Sequence, residues 1–318
     1  MKKLLAILTA TLLCLSAMVC PALAESETYT IGICQLVQHP ALDAATQGFK
    51  DVLTEKLGDS VVFDEQNASG DSATCITIIK SFISSDVDLI MANATPALQA
   101  AQAGTADIPI LGTSVTDYAT ALDISDWTGA TGVNISGTSD LAPLDGQAAM
   151  IQELFPDAKE IGLLYCSAEA NSAYQVEVIT GYLTEMGYNC TNYAFADSND
   201  VASVATNACA TSDVIYIPTD NTAASCTEAI RNVVEPAGVP VIAGEEGICS
   251  GCGVATLSIS YYDLGRATGE MAYEVLVNGA DVATMPIQFA PAFTKEYNAE
   301  LCEVLGVSIP EDYVAIGE

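Results

Sequence analysis

Basic side chains are scarce in this chain of 318 residues. Lys and Arg number 9 against 41 Asp and Glu, which leaves a formal net charge of −32 at pH 7. A surface with so large an excess of acid repels nucleic-acid phosphates and anionic lipid head groups. We therefore expect no nucleic-acid partner, and we interpret the charge as a property that keeps the protein soluble.

Histidine is scarcer still, because His39 is the only one in the chain. A single histidine excludes a Ser-His-Asp or Cys-His catalytic group unless it works alone, and it excludes a zinc site built from several histidines. No glycine-rich phosphate loop follows a predicted strand. We expect neither an enzyme nor a site for a metal or a cofactor.

Long apolar runs are also missing, except at the amino end. Lys2 and Lys3 precede an apolar run over residues 4–19, and Ala22-Leu23-Ala24 fits the small-x-small cleavage pattern. These features predict a signal peptide over residues 1–24. The mature protein would then be exported and extracytoplasmic, at the cell surface or in the periplasm.

The leader leaves the mode of anchoring open. Cys14 and Cys20 lie inside it, but residues 17–19 lack the small residue expected directly before a lipidated cysteine. Both soluble export and a non-standard lipid anchor agree with this sequence.

Nine cysteines remain after the predicted cleavage, and they do not form an obvious disulfide framework. Their number is odd, and most of them lie in apolar or helical runs, where cysteine behaves as a small buried apolar residue. Cys249 and Cys252 form the one close pair. No second CxxC motif accompanies it, so we predict a structural role for the pair.

The body of the chain alternates between short β-branched runs and helix-like stretches. This pattern predicts parallel sheets covered by helices, the α/β class. The predicted strands are Tyr29–Cys34, Ser60–Phe63, Asp88–Ala92, Ile108–Gly112, Ile161–Tyr165, Tyr193–Phe195, Val214–Ile217, Val239–Ala243 and Gly253–Ser258.

The pattern pauses and restarts in mid-chain, which predicts two similar lobes. Residues 129–139 are rich in Gly, Ser, Thr and Asn, and we interpret them as a crossing segment. The strand at Gly253–Ser258 is predicted to return towards the first lobe. We assign residues 25–137 and 260–284 to lobe 1 and residues 138–259 and 285–318 to lobe 2, with a ligand cleft between them.

Polar residues gather where the predicted strands end, and ligands of open α/β sheets bind at that edge. Hydroxyl and N–H groups there could hold the carboxylate of a ligand, and Asp117 or Asp220 could bind its ammonium group. A tyrosine could stack on an aromatic ring of the ligand. Each residue could instead cap a helix. The predicted ligand-binding residues are Gln35, His39, Thr95, Ser114, Thr116, Asp117, Asn171, Ser172, Asp220, Asn221 and Glu245. The tyrosines considered for an aromatic slot are Tyr118, Tyr165, Tyr174, Tyr261 and Tyr262.

Several segments taken together resemble one known family over nearly the whole mature chain. They include His39-Pro-Ala-Leu-Asp-Ala44, Thr95-Pro96, Val115-Thr-Asp117, Glu169-Ala-Asn-Ser172, Pro218-Thr-Asp-Asn221 and Tyr261-Tyr-Asp-Leu-Gly-Arg266. These stretches resemble the substrate-binding proteins of ABC transporters, of the tryptophan- and tyrosine-binding type.

The resemblance implies a type I periplasmic-binding-protein fold, with two doubly wound parallel-sheet lobes, three crossings and hinge closure on a small solute. It also implies an aromatic amino acid (Trp, Tyr or Phe) as the ligand, and an ABC permease with its ATPase as partners. The alternative is the same fold with another guest, such as a sugar, a nucleoside or another amino acid. A regulator's effector domain is disfavoured by the leader and by the lack of a basic helix-turn-helix.

The cysteine pattern generates a direct test. Thiol titration of the mature protein in denaturant without reductant should count most of the nine cysteines as reactive, because buried apolar cysteines need no partner. A count of one thiol or none would show that disulfides hold the fold instead.

Overall fold

The computed structural model describes residues 28–317, and the predicted signal peptide therefore lies outside the described residues. Within that range the chain forms two α/β lobes, each built on its own sheet. Among these residues, no helix combines the length and the apolar character needed to cross a membrane.

The first sheet has six strands, in the order β11-β5-β4-β3-β1-β2, and all of its neighbours pair in parallel. Its strands are β1 (Tyr29–Gln35), β2 (Val61–Asn67), β3 (Leu89–Asn93), β4 (Ile110–Val115), β5 (Ile135–Ser139) and β11 (Gln288–Phe289). The helices of this lobe are α1 (Pro40–Leu57), α2 (Ser72–Ser84), α3 (Thr95–Gly104), α4 (Tyr118–Ala121) and α11 (Tyr261–Leu276).

The second sheet has seven strands, in the order β13-β12-β10-β9-β8-β6-β7, and β12 runs antiparallel to β10. Its strands are β6 (Glu160–Cys166), β7 (Asn189–Phe195), β8 (Val214–Ile217), β9 (Val241–Ala243), β10 (Ala255–Ser258), β12 (Thr294–Tyr297) and β13 (Val314–Ala315). The helices are α5 (Leu144–Leu154), α6 (Ala170–Glu185), α7 (Val201–Cys209), α8 (Asn221–Ser225), α9 (Thr227–Ala237), α10 (Glu246–Cys252) and α12 (Ala299–Leu305).

The order of the strands in the two sheets requires the chain to pass between the lobes three times. The crossings lie after β5 at residues 140–143, after β10 at residues 259–260, and between β11 and β12 at residues 290–293. The predicted α/β architecture of two doubly wound lobes is confirmed. The strand predicted at Gly253–Ser258 belongs to the second sheet, so the return to the first lobe comes after it.

The interpretation of residues 129–139 as a crossing segment was wrong, because Ile135–Ser139 is a strand of the first sheet. Its hydroxyl groups are satisfied inside the lobe, where Thr138 hydrogen-bonds to Thr113 and Thr268. A strand of this kind can be buried without an apolar run. The predicted lobe boundary at residue 137 thus falls inside β5, and β11 lies in the first sheet although residues 285–318 were assigned to lobe 2.

The cysteines are distributed as buried apolar side chains are. No disulfide joins any of the nine within residues 28–317, and six of the nine are buried. They belong to the clusters of aliphatic side chains that fill the two lobes.

Two glycines allow α1 and α11 to cross at very short range in lobe 1. A Cβ atom placed on Gly265 would overlap the carbonyl of Ala45, and one on Gly48 would overlap the carbonyl of Tyr262. The helix that follows the second crossing is therefore held directly against the helix that follows β1.

The substitution Gly265→Ala should lower the free energy of unfolding by about 1–3 kcal/mol, because the added methyl group meets backbone rather than a movable side chain. Gly181→Ala is the matched control, since Gly181 lies in α6 with open space around its Cβ position. The control should be stabilised by up to about 1 kcal/mol through helix propensity. Urea unfolding of both variants measures the difference, and equal stability would contradict the proposed close contact.

Candidate ligand-binding cleft

The carboxyl ends of the strands in the two sheets face each other across the lobe boundary. His39 follows β1 and Asn221 begins α8, and 3.3 Å separates His39 Nε2 from Asn221 Oδ1. Both side chains are buried. Asn221 of the second lobe covers His39. This contact brings predicted residues of both lobes to one cleft.

Glu169 fixes the second-lobe side of this contact. Its carboxylate accepts hydrogen bonds from the backbone N–H and side-chain Nδ2 of Asn221, at 3.1 and 2.6 Å. It also accepts from the backbone N–H and hydroxyl of Thr222, at 2.8 and 2.7 Å. A fifth donor, Nδ2 of Asn171, lies at 3.2 Å. The five donors compensate the buried carboxylate and tie the start of α6 to the start of α8.

Asp220 acts as the amino-terminal cap of α8. Its two carboxylate oxygens accept from the backbone N–H groups of Cys166 and Ala223, at 2.6 and 2.8 Å. Burial and the nearby charge of Glu169 raise the pKa of Asp220 to about 8. The geometry therefore gives Asp220 the capping role that its residue type also allows.

Asp117 and Glu245 are caps as well. Asp117 is half-buried and accepts from the backbone N–H of Thr120 at 2.7 Å. Glu245 is buried and accepts from the backbone N–H of Gly247 at 2.6 Å. Burial raises the pKa of Glu245 to about 7. The carboxylates predicted from the sequence are thus largely engaged with helix ends.

Asp140 is the functional candidate that the sequence prediction missed. It directly follows β5 in the first crossing and is 3% exposed. Its Oδ2 accepts a hydrogen bond from the hydroxyl of Tyr261 at 3.0 Å, and its Oδ1 has no hydrogen-bond partner among the described residues. Burial raises its pKa to about 6. Like the predicted candidates, Asp140 follows a strand. It was missed because its strand, β5, was not predicted.

Other buried polar atoms at the lobe interface share this property with Asp140. Within residues 28–317, the buried polar side-chain atoms that lack a hydrogen-bond partner include His39 Nδ1, Asn93 Oδ1, Thr95 Oγ1, Ser114 Oγ, Asp140 Oδ1 and Asn171 Oδ1. These six belong to residues at the carboxyl ends of strands or in the loop or helix start that follows, and the seventh such atom, Thr256 Oγ1, lies inside β10. An unpaired buried polar group costs about 1–3 kcal/mol. The six groups together make this edge the candidate surface for a polar ligand.

The backbone at the ends of β3 and β4 is strained. Ala94 has φ of 85° and ψ of 157°, a region that is essentially restricted to glycine, and Ser114 has φ of 54°. Such conformations persist where the surrounding structure enforces them, commonly at binding sites. Ala94 also precedes α3 without a side-chain cap, so the first N–H groups of α3 keep their capacity to bind an anion.

Gln35, Thr116 and Ser172 contribute in other ways. Gln35 donates to Asp43 at 2.7 Å and accepts from Thr46 at 2.7 Å, which occupies its amide inside lobe 1. The carbonyl of Thr116 accepts a hydrogen bond from the hydroxyl of Ser139 at 2.8 Å, and the hydroxyl of Ser172 accepts one from Nδ2 of Asn171 at 3.4 Å. These residues hold the shape of the cleft.

The predicted tyrosines divide into different roles. Tyr118 is buried inside lobe 1, and its hydroxyl donates to the carbonyl of Thr138 at 3.1 Å. Tyr262 donates to Asp51 on the surface. Tyr261 alone combines burial at the cleft with a hydrogen bond to Asp140. Tyr165 and Tyr174 are half-buried.

Two cavities lie between the lobes. The larger one, of about 500 Å³, is lined by residues of both lobes that include Pro40, Ala41, Glu245, Ile259 and Tyr261. The smaller one, of about 170 Å³, is lined by residues that include Leu36, Pro96, Glu169, Asn221 and Thr222. The larger volume suits a solute of the size of an amino acid.

A family model described as ABC transporter substrate binding protein matches residues 30–316. The chain belongs to this family. Substrate-binding proteins of ABC transporters are extracytoplasmic, and they pass a small-molecule ligand to a transporter. The family resemblance predicted from the sequence is thus confirmed, and so is the type I periplasmic-binding-protein fold.

Two relatives of this substrate-binding protein are described by the amino acid that they bind. It is 38% identical over 260 residues to the tyrosine-binding protein of Clostridioides difficile strain R20291, covering 81% of this chain and 75% of the relative. An ABC domain from Streptococcus pneumoniae in complex with L-Trp is 32% identical, with a TM-score of 0.86, and the match covers 90% of this chain and 97% of that one.

A second solved relative superposes less closely on this chain. The ligand-free, open structure of a substrate-binding protein with adhesive properties from Clostridium difficile is 36% identical, with 91% and 99% of the two chains covered. Its TM-score is only 0.69, although its sequence is more similar than that of the L-Trp complex. The structure described here thus superposes more closely on the L-Trp complex.

The burial of Asp140 predicts how its contribution to stability depends on pH. Its folded pKa of about 6 lies above the ordinary value for aspartate, so the folded state binds the proton more tightly than the unfolded state does. The stabilising contribution is complete below about pH 4 and is lost as the pH rises through 6. Asp140→Asn, which resembles the protonated carboxyl, should therefore gain stability relative to the wild type between pH 5 and pH 8.

We expect that gain to be about 1.4 kcal/mol in the ligand-free protein, because one pH unit separates pH 5 from the folded pKa. Urea unfolding of both proteins at the two pH values measures it, and the comparison cancels the other titrating groups. A stability difference that does not change between pH 5 and pH 8 would contradict the raised pKa.

Proposed function

We propose that this protein is an extracytoplasmic receptor that binds an aromatic amino acid in its cleft and delivers it to an ABC permease driven by an ATPase. The relatives named as tyrosine-binding or solved with L-Trp support an aromatic guest. The row of unpaired buried polar atoms at the cleft carries the proposal, because it complements the two charged ends of a zwitterion.

The carboxylate of the ligand binds at the start of α3 in this proposal. The hydroxyl groups of Thr95 and Ser114 are buried, and they have no partner among the described residues. The uncapped N–H groups and the helix dipole of α3 favour a negative group at the same place. Hydroxyl and N–H donors together suit a carboxylate better than a neutral hydroxyl.

The ammonium group of the ligand binds Asp140. The oxygens of Asp220 already accept backbone N–H groups, whereas Oδ1 of Asp140 accepts none. Asp140 thereby takes the role that the sequence analysis gave to Asp117 or Asp220. Burial removes the water that would otherwise stabilise the negative charge of the carboxylate. An ammonium group beside it stabilises that charge instead.

The side chain of the ligand occupies the larger cavity. Tyr261 lines this cavity and also hydrogen-bonds to Asp140, so the cavity lies beside the proposed ammonium site. Pro40, Ala41 and Ile259 give it apolar surface. Its volume of about 500 Å³ accommodates an indole or phenol ring.

Isothermal titration with the twenty amino acids should give binding heat with at least one of Trp, Tyr and Phe. Asp140→Asn should weaken that binding at least tenfold, because a charge-assisted hydrogen bond contributes about 1.5–3 kcal/mol. The matched control is Asp213→Asn, since Asp213 accepts from the N–H groups of Lys159 and Glu160 on the surface. The control should bind as the wild type does.

Two outcomes would overturn the proposal. Absence of heat with every aromatic amino acid would remove the assigned ligand class, and heat with a sugar or nucleoside instead would support the alternative guest. Unchanged affinity in Asp140→Asn would remove the assigned ammonium partner.

A further inference from the structure

His39 presents a buried nitrogen whose role the zwitterion does not explain. The side chain is 6% exposed, and its Nε2 lies 3.3 Å from Asn221 Oδ1 across the lobe boundary. Its other nitrogen, Nδ1, is buried without a hydrogen-bond partner among the described residues. It does not cap α1 either, although His39 holds the capping position.

The orientation of the Asn221 amide decides which nitrogen of His39 carries the proton. Nδ2 of Asn221 donates to Glu169 at 2.6 Å, and the backbone N–H of Asn221 donates to the same carboxylate. The amide oxygen is thus the atom that faces His39. An amide oxygen only accepts, so Nε2 of His39 must be the donor.

The imidazole is neutral in this environment. Burial lowers the pKa of His39, and this effect outweighs the hydrogen bond to Asn221 and the charges of Glu169 and Asp43, which act in the opposite direction. A neutral ring with its proton on Nε2 has a lone pair on Nδ1. The unpaired nitrogen is therefore a hydrogen-bond acceptor.

The strand order separates this acceptor from the proposed ammonium site. Asp140 follows β5 and His39 follows β1, and the sheet order is β5-β4-β3-β1. Three strand spacings of about 4.8 Å put the two strand ends about 14 Å apart. One ammonium group cannot contact both side chains, which leaves the lone pair of His39 Nδ1 free to accept from a different donor.

We propose that Nδ1 of His39 accepts a hydrogen bond from the ring of the ligand, and that it selects amino acids whose aromatic side chain carries a donor. The phenol O–H of tyrosine and the indole N–H of tryptophan are such donors, and phenylalanine has none. The lining of the larger cavity includes Tyr261, which contacts Asp140, and Pro40, the residue after His39, so the cavity lies near both side chains although neither lines it. The inference rests on the proposed function.

The physical basis is the asymmetry between making a buried hydrogen bond and omitting it. Binding loses little free energy when a ligand donor pairs with an acceptor that is buried away from water. An apolar analogue leaves the acceptor unpaired, which costs binding free energy. Sites of this design reject the analogue that lacks the donor far more strongly than apolar pockets reject a missing methylene.

Isothermal titration of the unaltered mature protein with two matched pairs tests the inference. The pairs are L-tyrosine against L-phenylalanine, and L-tryptophan against 1-methyl-L-tryptophan, which lacks only the indole N–H. We expect the donor-bearing member to bind at least tenfold more tightly in at least one pair. Affinities within twofold in both pairs would overturn the inference and leave the proposed function standing. No binding by any of the four would overturn the proposed function itself.

The variant His39→Leu tests whether His39 causes this selectivity. The affinity ratio that the wild type shows should fall below about twofold in this variant, and Asp213→Asn should keep the wild-type ratio. A ratio that persists in His39→Leu would overturn the role of His39. Thermal unfolding checks that the variant folds, and if it binds no ligand, the comparison of ligand pairs in the wild type decides.

Discussion

The site depends on burying carboxylates without cations beside them. The basic side chains that form ion pairs in residues 28–317 are Lys50, Lys56, Arg231, Arg266 and Lys295, and these pairs lie at the surface. The buried acids of the cleft are instead held by N–H and O–H donors. Glu169, Asp220 and Glu245 find theirs at helix ends, whereas one oxygen of Asp140 finds none. That difference separates the acids that build the cleft from the acid proposed to bind.

The α/β fold of the two lobes could be predicted from the sequence, because the alternating strand and helix patterns that indicate it are local. The helix Pro40–Leu57 follows from its apolar spacing and its proline, and Val201–Cys209 follows from similar periodicity. The strand Ile135–Ser139 was not predicted, because it lacks an apolar run. Its polar side chains hydrogen-bond to residues that are distant in the sequence, such as Thr268. Asp140 escaped prediction along with the strand that positions it.

Capping and ligand binding use the same residue types, so sequence alone could not assign the candidates. Asp220 and Asp140 both follow a strand, but only the structure shows that Asp220 already accepts the N–H of Ala223. The role of His39 has the same origin. Its tautomer depends on Asn221 and Glu169, which lie in the other lobe and are brought to it by the fold.

The hydrogen bond between Tyr261 and Asp140 also joins two of the three connections between the lobes. Asp140 lies in the first crossing, and Tyr261 starts the helix directly after the second. That helix is packed against α1 through Gly48 and Gly265, so it is part of the packing of lobe 1. The hydrogen bond therefore ties the first crossing to the start of a helix that belongs to lobe 1, and the two connections cannot separate while it is intact.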